Sequence, residues 1–354
     1  MAAALMSPEE VTVQVGRRSG LSIVIAVDST LLGPALGGCR VRRYPSLDSG
    51  RRDALSLASA MTVKAAVAGL AHGGGKTAVI IPDGAPPLDS LLRRDLLLDV
   101  GDAVETYGGS YLIGPDLGTG PNDMDVLAER TSHVLCRTER AHGSGDSAPA
   151  TALGSYGCIS AVHQYLTGSA GVAGARVGIV GLGSVGRRLA QALADDGAHL
   201  VVTDIDASCR ALAQQLGAQW VEPDVLPTLE LDVLVPAATG GLIDDEVADR
   251  LRCHAVVGPA NNQLSGDYLA DVLHRHGVLW APDYVVGAGG IVNAVARELD
   301  GADAAEARAR VHRIAATLSS VLDDAAQHNR TPHGIATDRA RERLRATTAS
   351  ADVS

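Results

Sequence analysis

The stretch "RVGIVGLGSVGRRLAQALADDGAHLVVTDID", residues 176–206, decides the architecture of its half of the chain. A β-branched run leads directly into Gly181, Gly183 and Gly186 in GxGxxG spacing, and a helical pattern follows at once. In such a turn the first glycine bends the chain and the second lets backbone N–H groups approach a pyrophosphate. The third lets the helix pack closely, with its N-terminus aimed at the negative charge. Asp204 ends the next apolar run, 18 residues after Gly186, where a carboxylate accepts hydrogen bonds from an adenosine ribose. No basic residue follows Asp204 closely, so a 2′-phosphate would be repelled and NAD is expected over NADP. GxGxxG alone also fits a glycine-rich turn in an α/β domain that binds no nucleotide. The strand, the helix and the acid together favour the dinucleotide.

Beyond this unit the strand–helix alternation continues, which is the pattern of a parallel sheet. "ASCRALAQQLG", "DDEVADRL" and "DYLADVLHRHG" read as helices, and "DVLVPAA", "AVVGPA" and "VLWAPDYVV" as strands. Residues 302–326 form a long amphipathic helix with Val311, Ile314, Leu318 and Val321 on one side, and a last helix lies near 335–346. On the N-terminal side, "TERAHGSGDSAPA" (138–150) is the expected domain boundary. Before it, residues 11–30 read as strands. Residues 46–70 read as a helix capped by Asp48 or Ser49, and "TAVIIP" as a strand ended by Pro82. A helix over about 88–107 should turn Leu91, Leu92, Leu96 and Val100 inward, and Asp123 and Asp125 are candidates for a further helix start.

At 354 residues two domains are expected, and 46% hydrophobic content supports ample cores. A net charge of −11 argues against nucleic acid or an anionic membrane as partner. No apolar run reaches the length of a spanning helix. "MAAALMSPEE" lacks the basic end of a signal peptide, and the five scattered cysteines include no CxxC pair. Free thiols in a reducing cytoplasm are expected. The eleven histidines form no HExxH, so no bound metal is expected.

Lys64 and Lys76, in "AMTVKAAVAGLAHGGGKT" (60–77), are the only lysines; every other cationic side chain of this kind is arginine. "GGGKT" suggests a phosphate-binding P-loop, but that motif needs glycine at position 70, which is Leu70, and a helix after the lysine. Here a strand-like run follows. As plain surface cations the two lysines would be oddly placed among Met61, Val63, Val67 and "AVII". Asp116, among the glycines of "IGPDLGTGPNDMD", is by itself an ordinary turn former.

Six motifs in order carry a resemblance: "GPALGGCR" (33–40), the lysine segment, "GPDLGTGPNDMD" (114–125), "GLGSVG" (181–186), "GPANNQL" (258–264) and "APDYVVGAGGIVNAV" (281–295). Together they resemble the glutamate/leucine/phenylalanine/valine dehydrogenase family, closest to its short phenylalanine and leucine members, over about residues 14–345. The resemblance implies an α/β protein with an N-terminal α/β substrate domain (1–143, joined by a C-terminal helix at about 330–348). A Rossmann NAD-binding domain (144–329) follows, with the chemistry in a cleft between the two. Lys76 and Asp116 would be catalytic, Asp116 exchanging a proton with Lys76. Lys64 would hold the substrate α-carboxylate, the Pro115 carbonyl its ammonium, and Asn262 would also touch it. Leu36, Gly114, Ile291 and Ala294 would line the side-chain pocket. Thr151, Gly181, Gly183, Ser184, Val185, Gly186, Asp204, Ala237, Ala238, Ala260 and Asn261 would lie along the NAD, and Arg40 would reach its phosphates. The partners implied are an amino acid, its 2-oxo acid and ammonia, and a homo-oligomer is expected.

The implied chemistry is physically coherent. Hydride leaves Cα, water attacks the resulting iminium, and a base takes that water's proton. Desolvation and a neighbouring cation favour a lysine's neutral form, whereas arginine cannot deprotonate in this range. The chain departs from the family pattern in having Gly287 where "NAGG" usually supplies asparagine, "PAA" for "PCA", and Cys39 for the threonine of "GGTR". None of these removes a proton carrier. Gly114 and Ala294 leave more room than leucine-type enzymes do, which points to phenylalanine or another large apolar amino acid. A leucine or valine dehydrogenase is the alternative, as is a catalytically weak NAD-binding regulatory protein of the same fold.

Overall fold

The glycine triplet 73–75, which looks like a loop in the sequence, opens a strand. The computed structural model describes residues 8–238 and 240–351, and the chain divides into two compact units. The N-terminal unit runs to Ser147 and also takes in Ala294–Ala302 and the chain from Arg339 onward. Its elements are β1 (Glu10–Val15), β2 (Ser22–Ser29), β3 (Ala35–Tyr44), α1 (Leu47–Val67), β4 (Gly73–Pro82), α2 (Ser90–Glu105), β5 (Tyr111–Pro115) and α3 (Pro121–Leu127). The sheet order is β1-β2-β4-β3-β5. β2 is antiparallel to both β1 and β4, and β3 is parallel to both β4 and β5.

Two faces of this sheet carry two cores. On one, Ile23, Ile25, Cys39, Val41, Val79, Tyr111 and Ile113 pack with α2 and α3 residues such as Leu96, Val100, Met124 and Leu127. On the other, Val24, Ala26, Ala78 and Ile80 pack with Ala54 and Ala58 of α1. The triplet fits between these layers. A Cβ on Gly74 would stand 2.1 Å from Thr62 N on α1, and one on Gly75 would stand 2.7 Å from the Tyr111 ring. Glycine at both positions lets the helix and the aromatic ring close on the strand from opposite sides.

Two details differ from the sequence reading. The cap of α1 is Ser46, in a reciprocal capping box with Ser49, and not Asp48 or Ser49. Leu91, expected inside, is 69% exposed; it lies in the first turn of α2, whose buried residues begin at Leu96.

The second unit comprises Ala148–Asn293 and Asp303–Asp338. Its elements are α4 (Ala148–Thr167), β6 (Arg176–Val180), α5 (Gly186–Asp195), β7 (His199–Thr203), α6 (Arg210–Gln215), β8 (Gln219–Trp220), β9 (Leu231–Pro236), α7 (Asp245–Arg250), β10 (Cys253–Val256), α8 (Tyr268–Arg275), β11 (Leu279–Trp280) and α9 (Asp283–Val286). α10 (Gly289–Ala294), a π-helical turn (Val295–Leu299), α11 (Ala304–His328) and α12 (Pro332–Ala351) complete the chain. All the strand pairs are parallel, in the order β11-β10-β9-β6-β7-β8. The order reverses beside β6, and open α/β sheets bind ligands at such a switch point. Val311, Ile314, Leu318 and Val321 of α11 are all buried, as their spacing predicts.

α4 has no counterpart in the sequence reading. Its Gly154 and Gly157 lower helix propensity and hide the pattern. The reason for the first glycine is packing, since a Cβ at Gly154 would press on Ile314 and Val311 of α11. The segment Ala294–Ala302, which the sequence reading put in the nucleotide-binding domain, belongs with the N-terminal unit. There Glu298 accepts hydrogen bonds from the amides of Cys136 and Ser144, each at 2.9 Å. In the same unit Arg343 Nη1 on α12 donates to the Ala66 carbonyl at 2.8 Å. Among the described residues no helix is long and apolar enough to cross a membrane. No group of three or more His, Cys, Asp or Glu is placed there to hold a metal ion. The five cysteines are free thiols.

Candidate active site

Strand parity puts the chemistry on one face. In β4, Ala78 and Ile80 face α1, so Lys76 faces the same way, while Thr77 and Val79 face the opposite core. The same alternation in β3 puts Gly38 and Arg40 on the α1 face and Cys39 on the other. Cys39 is fully buried there, and burial pushes its thiol up to about 12. The replacement of threonine by cysteine in "GGCR" therefore falls in the core, on the face of the sheet opposite Lys76. Lys76 and Lys64 are both buried, at 4% and 7% exposure.

Lys76 Nζ stands 2.9 Å from Asp116 Oδ2, and Arg40 Nε donates to that same oxygen at 2.7 Å. Burial alone would raise the Asp116 carboxyl, but the Lys76 and Arg40 charges outweigh it and hold it well below the usual carboxylate range. Gly38 makes room for this group, since a Cβ there would lie 2.8 Å from Asp116 Cβ and 3.2 Å from Lys76 Nζ. The loop carrying Asp116 is tied to β3. Thr119 Oγ1 accepts from the Asp116 amide at 3.0 Å and donates to the Cys39 carbonyl at 2.8 Å. Gly118, at φ +85, passes so close to Val41 O that a side chain would collide. Gly114 and Pro115 end β5 just before this loop, and Leu36 and Gly38 of β3 pair with Leu112 and Gly114.

Arg40 departs from expectation. It was assigned to cofactor phosphates, yet its Nε holds Asp116 and its Nη1 reaches Asp53 at 3.2 Å. Asp53 and its partner Tyr44, whose hydroxyl donates to Asp53 Oδ2 at 2.5 Å, were missed in the sequence. A signal existed, because Asp53 precedes Lys64 by eleven residues on α1, three helical turns, and so shares its side of the helix.

In the second unit, Gly181 sits at φ +100, where a Cβ would collide with Ala238, and a Cβ on Gly186 would collide with Gly181 O. Gly183 has no heavy atom within 4 Å of its Cβ position. Two glycines therefore close the turn and the third leaves an open face, which is the cradle a pyrophosphate needs. Asp204 is built into this turn. Its Oδ2 accepts from the Leu182 amide at 2.6 Å and its Oδ1 from the Asp206 amide at 2.8 Å. Ser184 and Val185 lead into α5. Ala237 bonds to Val180 O and Ala260 to Pro236 O, which keeps both loops at the carboxyl end of the sheet.

Asn262, exposed and left-handed at φ +53, accepts from the Gly241 amide at 2.7 Å. Its neighbour Gln263 is fully buried, donating to Gly258 O at 2.6 Å and accepting from Trp280 Nε1 at 3.0 Å. Asn261 follows Ala260 on the exposed side of that loop. Thr151 lies in the first turn of α4, where Gly289 packs against it. Gly287, in the place of the usual asparagine, ends α9 with no side chain to offer. Ile291 is half-buried in α10, and Ala294, the last residue of that helix, is buried and counts with the N-terminal unit.

The family model for the Glu/Leu/Phe/Val dehydrogenase dimerisation domain matches residues 8–133. The model for Glutamate/Leucine/Phenylalanine/Valine dehydrogenase matches residues 202–345. A leucine dehydrogenase of Geobacillus stearothermophilus is 37% identical over 93% of this chain and 88% of its own. A valine dehydrogenase of Streptomyces albus is 39% identical over 95% and 92%. Among solved structures, the L-tryptophan dehydrogenase of Nostoc punctiforme superposes with a TM-score of 0.78 at 30% identity, covering 97% of each chain. The chain belongs to the glutamate/leucine/phenylalanine/valine dehydrogenase family and is an amino acid dehydrogenase, an oxidoreductase acting on a CH–NH2 group.

Proposed function

We propose that the protein is an NAD-dependent dehydrogenase that reversibly deaminates an apolar L-amino acid to its 2-oxo acid and ammonia. The observation that carries this reading is the buried Lys76–Asp116 pair at 2.9 Å, on the face where Lys64 is also buried. Bound NAD supplies the hydride acceptor; the glycine cradle and Asp204 fit its pyrophosphate and ribose.

The remaining work falls to this chain. The Lys64 ammonium pairs with the substrate carboxylate, and the Pro115 carbonyl accepts from the substrate amine. After Cα has lost its hydride, Lys76 takes the proton of the water that adds to the iminium carbon, and it returns a proton to the departing ammonia. Asp116, held anionic, balances the Lys76 charge when that lysine is protonated. Arginine could anchor a carboxylate in place of Lys64 but could not cycle a proton in place of Lys76.

For the side chain, similarity to enzymes named for leucine and valine supports a branched aliphatic substrate. A second reading, phenylalanine or another large apolar amino acid, is supported by Gly114, whose Cβ position has no heavy atom nearer than Gly37 O at 3.8 Å. No lysine other than Lys64 and Lys76 exists to hold a second carboxylate, which argues against glutamate. Exposed Val13 and Val15 on the edge strand β1 support homo-oligomerisation through the N-terminal unit. A panel of L-amino acids with NAD at alkaline pH, read as NADH absorbance, tests the activity and the choice of substrate. Turnover of leucine and valine above phenylalanine supports the first reading, the reverse order the second, and no NADH from any apolar amino acid overturns both.

A further inference from the structure

Behind the Lys76–Asp116 pair runs a chain of charged and hydroxyl groups that the proposed reaction does not use. Asp116 Oδ2 accepts from Arg40 Nε at 2.7 Å, and Arg40 Nη1 reaches both oxygens of Asp53 at 3.2 and 3.4 Å. The Tyr44 hydroxyl donates to Asp53 Oδ2 at 2.5 Å. Arg40 is mostly buried, its side chain 12% exposed, with Asp53 at 23%. The Tyr44 ring lies in the core beneath α1. Burial, and then the hydrogen bond to Asp53, raise the Tyr44 phenol, so it stays a donor.

We infer that Asp53, backed by Tyr44, is a positioning residue that holds the Arg40 guanidinium side-on to Asp116 and so leaves Asp116 shared with Lys76. A guanidinium presents a planar fork that grips a carboxylate through two parallel N–H groups when nothing else restrains it. Asp116 takes Nε on one edge of the guanidinium while Asp53 takes Nη1 on the other, so the two carboxylates fix the plane between them. Without Asp53 the plane is free to turn until Nε and Nη2, the two donors of one edge, both grip Asp116 and draw it away from Lys76. The loss of one negative charge in a poorly solvated site also favours the neutral form of the base.

This inference rests on the proposed role of Lys76 as the proton carrier. The groups on the elements packed around β4 are these. Asp28 on β2 bonds to the Thr62 hydroxyl of α1. Arg40 and Cys39 lie on β3, Lys64 and Asp53 on α1, and Tyr111 and Asp116 on and after β5. Burial raises Cys39, Tyr111 and Asp28. Beyond them Asp123 is paired with Arg93 at 2.8 Å. Among these, Asp53 meets Lys76 only through Arg40 and Asp116, so its replacement deletes no side chain that pairs with the lysine.

The test is the pH profile of kcat for deamination in wild type, Asp53→Asn, Asp53→Glu and Tyr44→Phe, with Tm and the KM for NAD measured alongside. Asp53→Asn should move the acid limb to lower pH by about one unit and lower kcat, with the KM for NAD unchanged. Asp53→Glu, which keeps the charge, should restore the limb. An Asp53→Asn enzyme that folds and keeps the wild-type limb overturns the inference while leaving the proposed reaction intact. A wild type that makes no NADH from any apolar amino acid overturns the reaction itself. If Asp53→Asn does not fold, Tyr44→Phe decides, since it removes one hydroxyl and no charge. It should lower kcat about two- to tenfold, the worth of one hydrogen bond, and wild-type kcat there overturns the inference.

Discussion

Lys76 and Arg40 share a single carboxylate oxygen of Asp116: Oδ2 lies 2.9 Å from the lysine Nζ and 2.7 Å from the arginine Nε. One anion therefore serves two cations of different chemistry, one able to release a proton and one not. The two lysines should separate under the same substitution. Lys76→Arg should lose kcat by roughly two to four orders of magnitude, the usual worth of a positioned acid or base. Lys64→Arg should keep part of kcat and raise the KM for the amino acid, because an anchor needs charge more than proton release. Steady-state kinetics of the pair, with NADH titration to confirm cofactor binding, checks this; equal kcat losses would refute the division of roles.

Asp204 has a structural duty beside its proposed ribose contact, since it accepts from the amides of Leu182 and Asp206. Asp204→Ala should raise the KM for NAD and narrow the gap to NADP. It should also cost roughly 1–3 kcal/mol of stability, because the buried Leu182 amide loses its acceptor. Urea unfolding alongside both cofactor titrations reads the two effects. Equal use of NAD and NADP by the wild type would remove the first.

Ala294→Val adds bulk at a buried position at the end of α10. Relative kcat/KM should move from phenylalanine toward valine by on the order of 1–3 kcal/mol, the range for a few methyl groups in a pocket. An unchanged ranking across the substrate panel would mean that residue 294 does not face the substrate side chain.

Acid should unfold the N-terminal unit through Asp99 as well as Asp116. Burial would raise the Asp99 carboxyl, but hydrogen bonds from Ser19 and Arg18 more than offset it and hold it low. Both groups therefore bind protons more weakly folded than unfolded. Their stabilisation is present above the ordinary carboxylate value and is lost as pH falls below about 4 toward their folded values. Asp99→Asn should lower stability at pH 7 and flatten its fall between about pH 4 and 2. Denaturant midpoints across that window measure the slope, and an unaltered slope would exclude Asp99.

Gly74→Ala should destabilise by about 1–3 kcal/mol, the cost of overpacking, because its Cβ would stand 2.1 Å from Thr62 N. The backbone of α1 cannot yield as a flexible side chain could. Tm and far-UV CD would report it, and a fully stable Gly74→Ala protein would mean that α1 is free to shift.

Much of this was legible in the sequence because the signals are local. The glycine turn, Asp204 and the apolar stripe of α11 are periodic or motif-bound, and they stand where their spacing puts them. α4 was not legible, because its glycines answer to α11, which lies far along the chain. The strand character of residues 73–75 was hidden for the same reason, since those glycines are explained by Thr62 and Tyr111 rather than by their own backbone. Arg40 was assigned to phosphate from motif alone. The carboxylates it meets, Asp53 and Asp116, come together only when β3, α1 and the loop after β5 are assembled.

Strand parity also governs how this chain can change over time. Lys76 reaches its partners because it sits an odd number of residues from Gly75, whose own face meets Tyr111. Deleting one residue between Gly73 and Lys76 would turn the ammonium into the apolar core and bring Thr77 to Asp116, and inserting one would also turn the ammonium away. Point replacement in β4 is therefore tolerable in ways that length change is not. Insertions and deletions inherited by functional descendants should collect in exposed connections such as residues 83–89, and β4 itself should keep its length even where its sequence drifts.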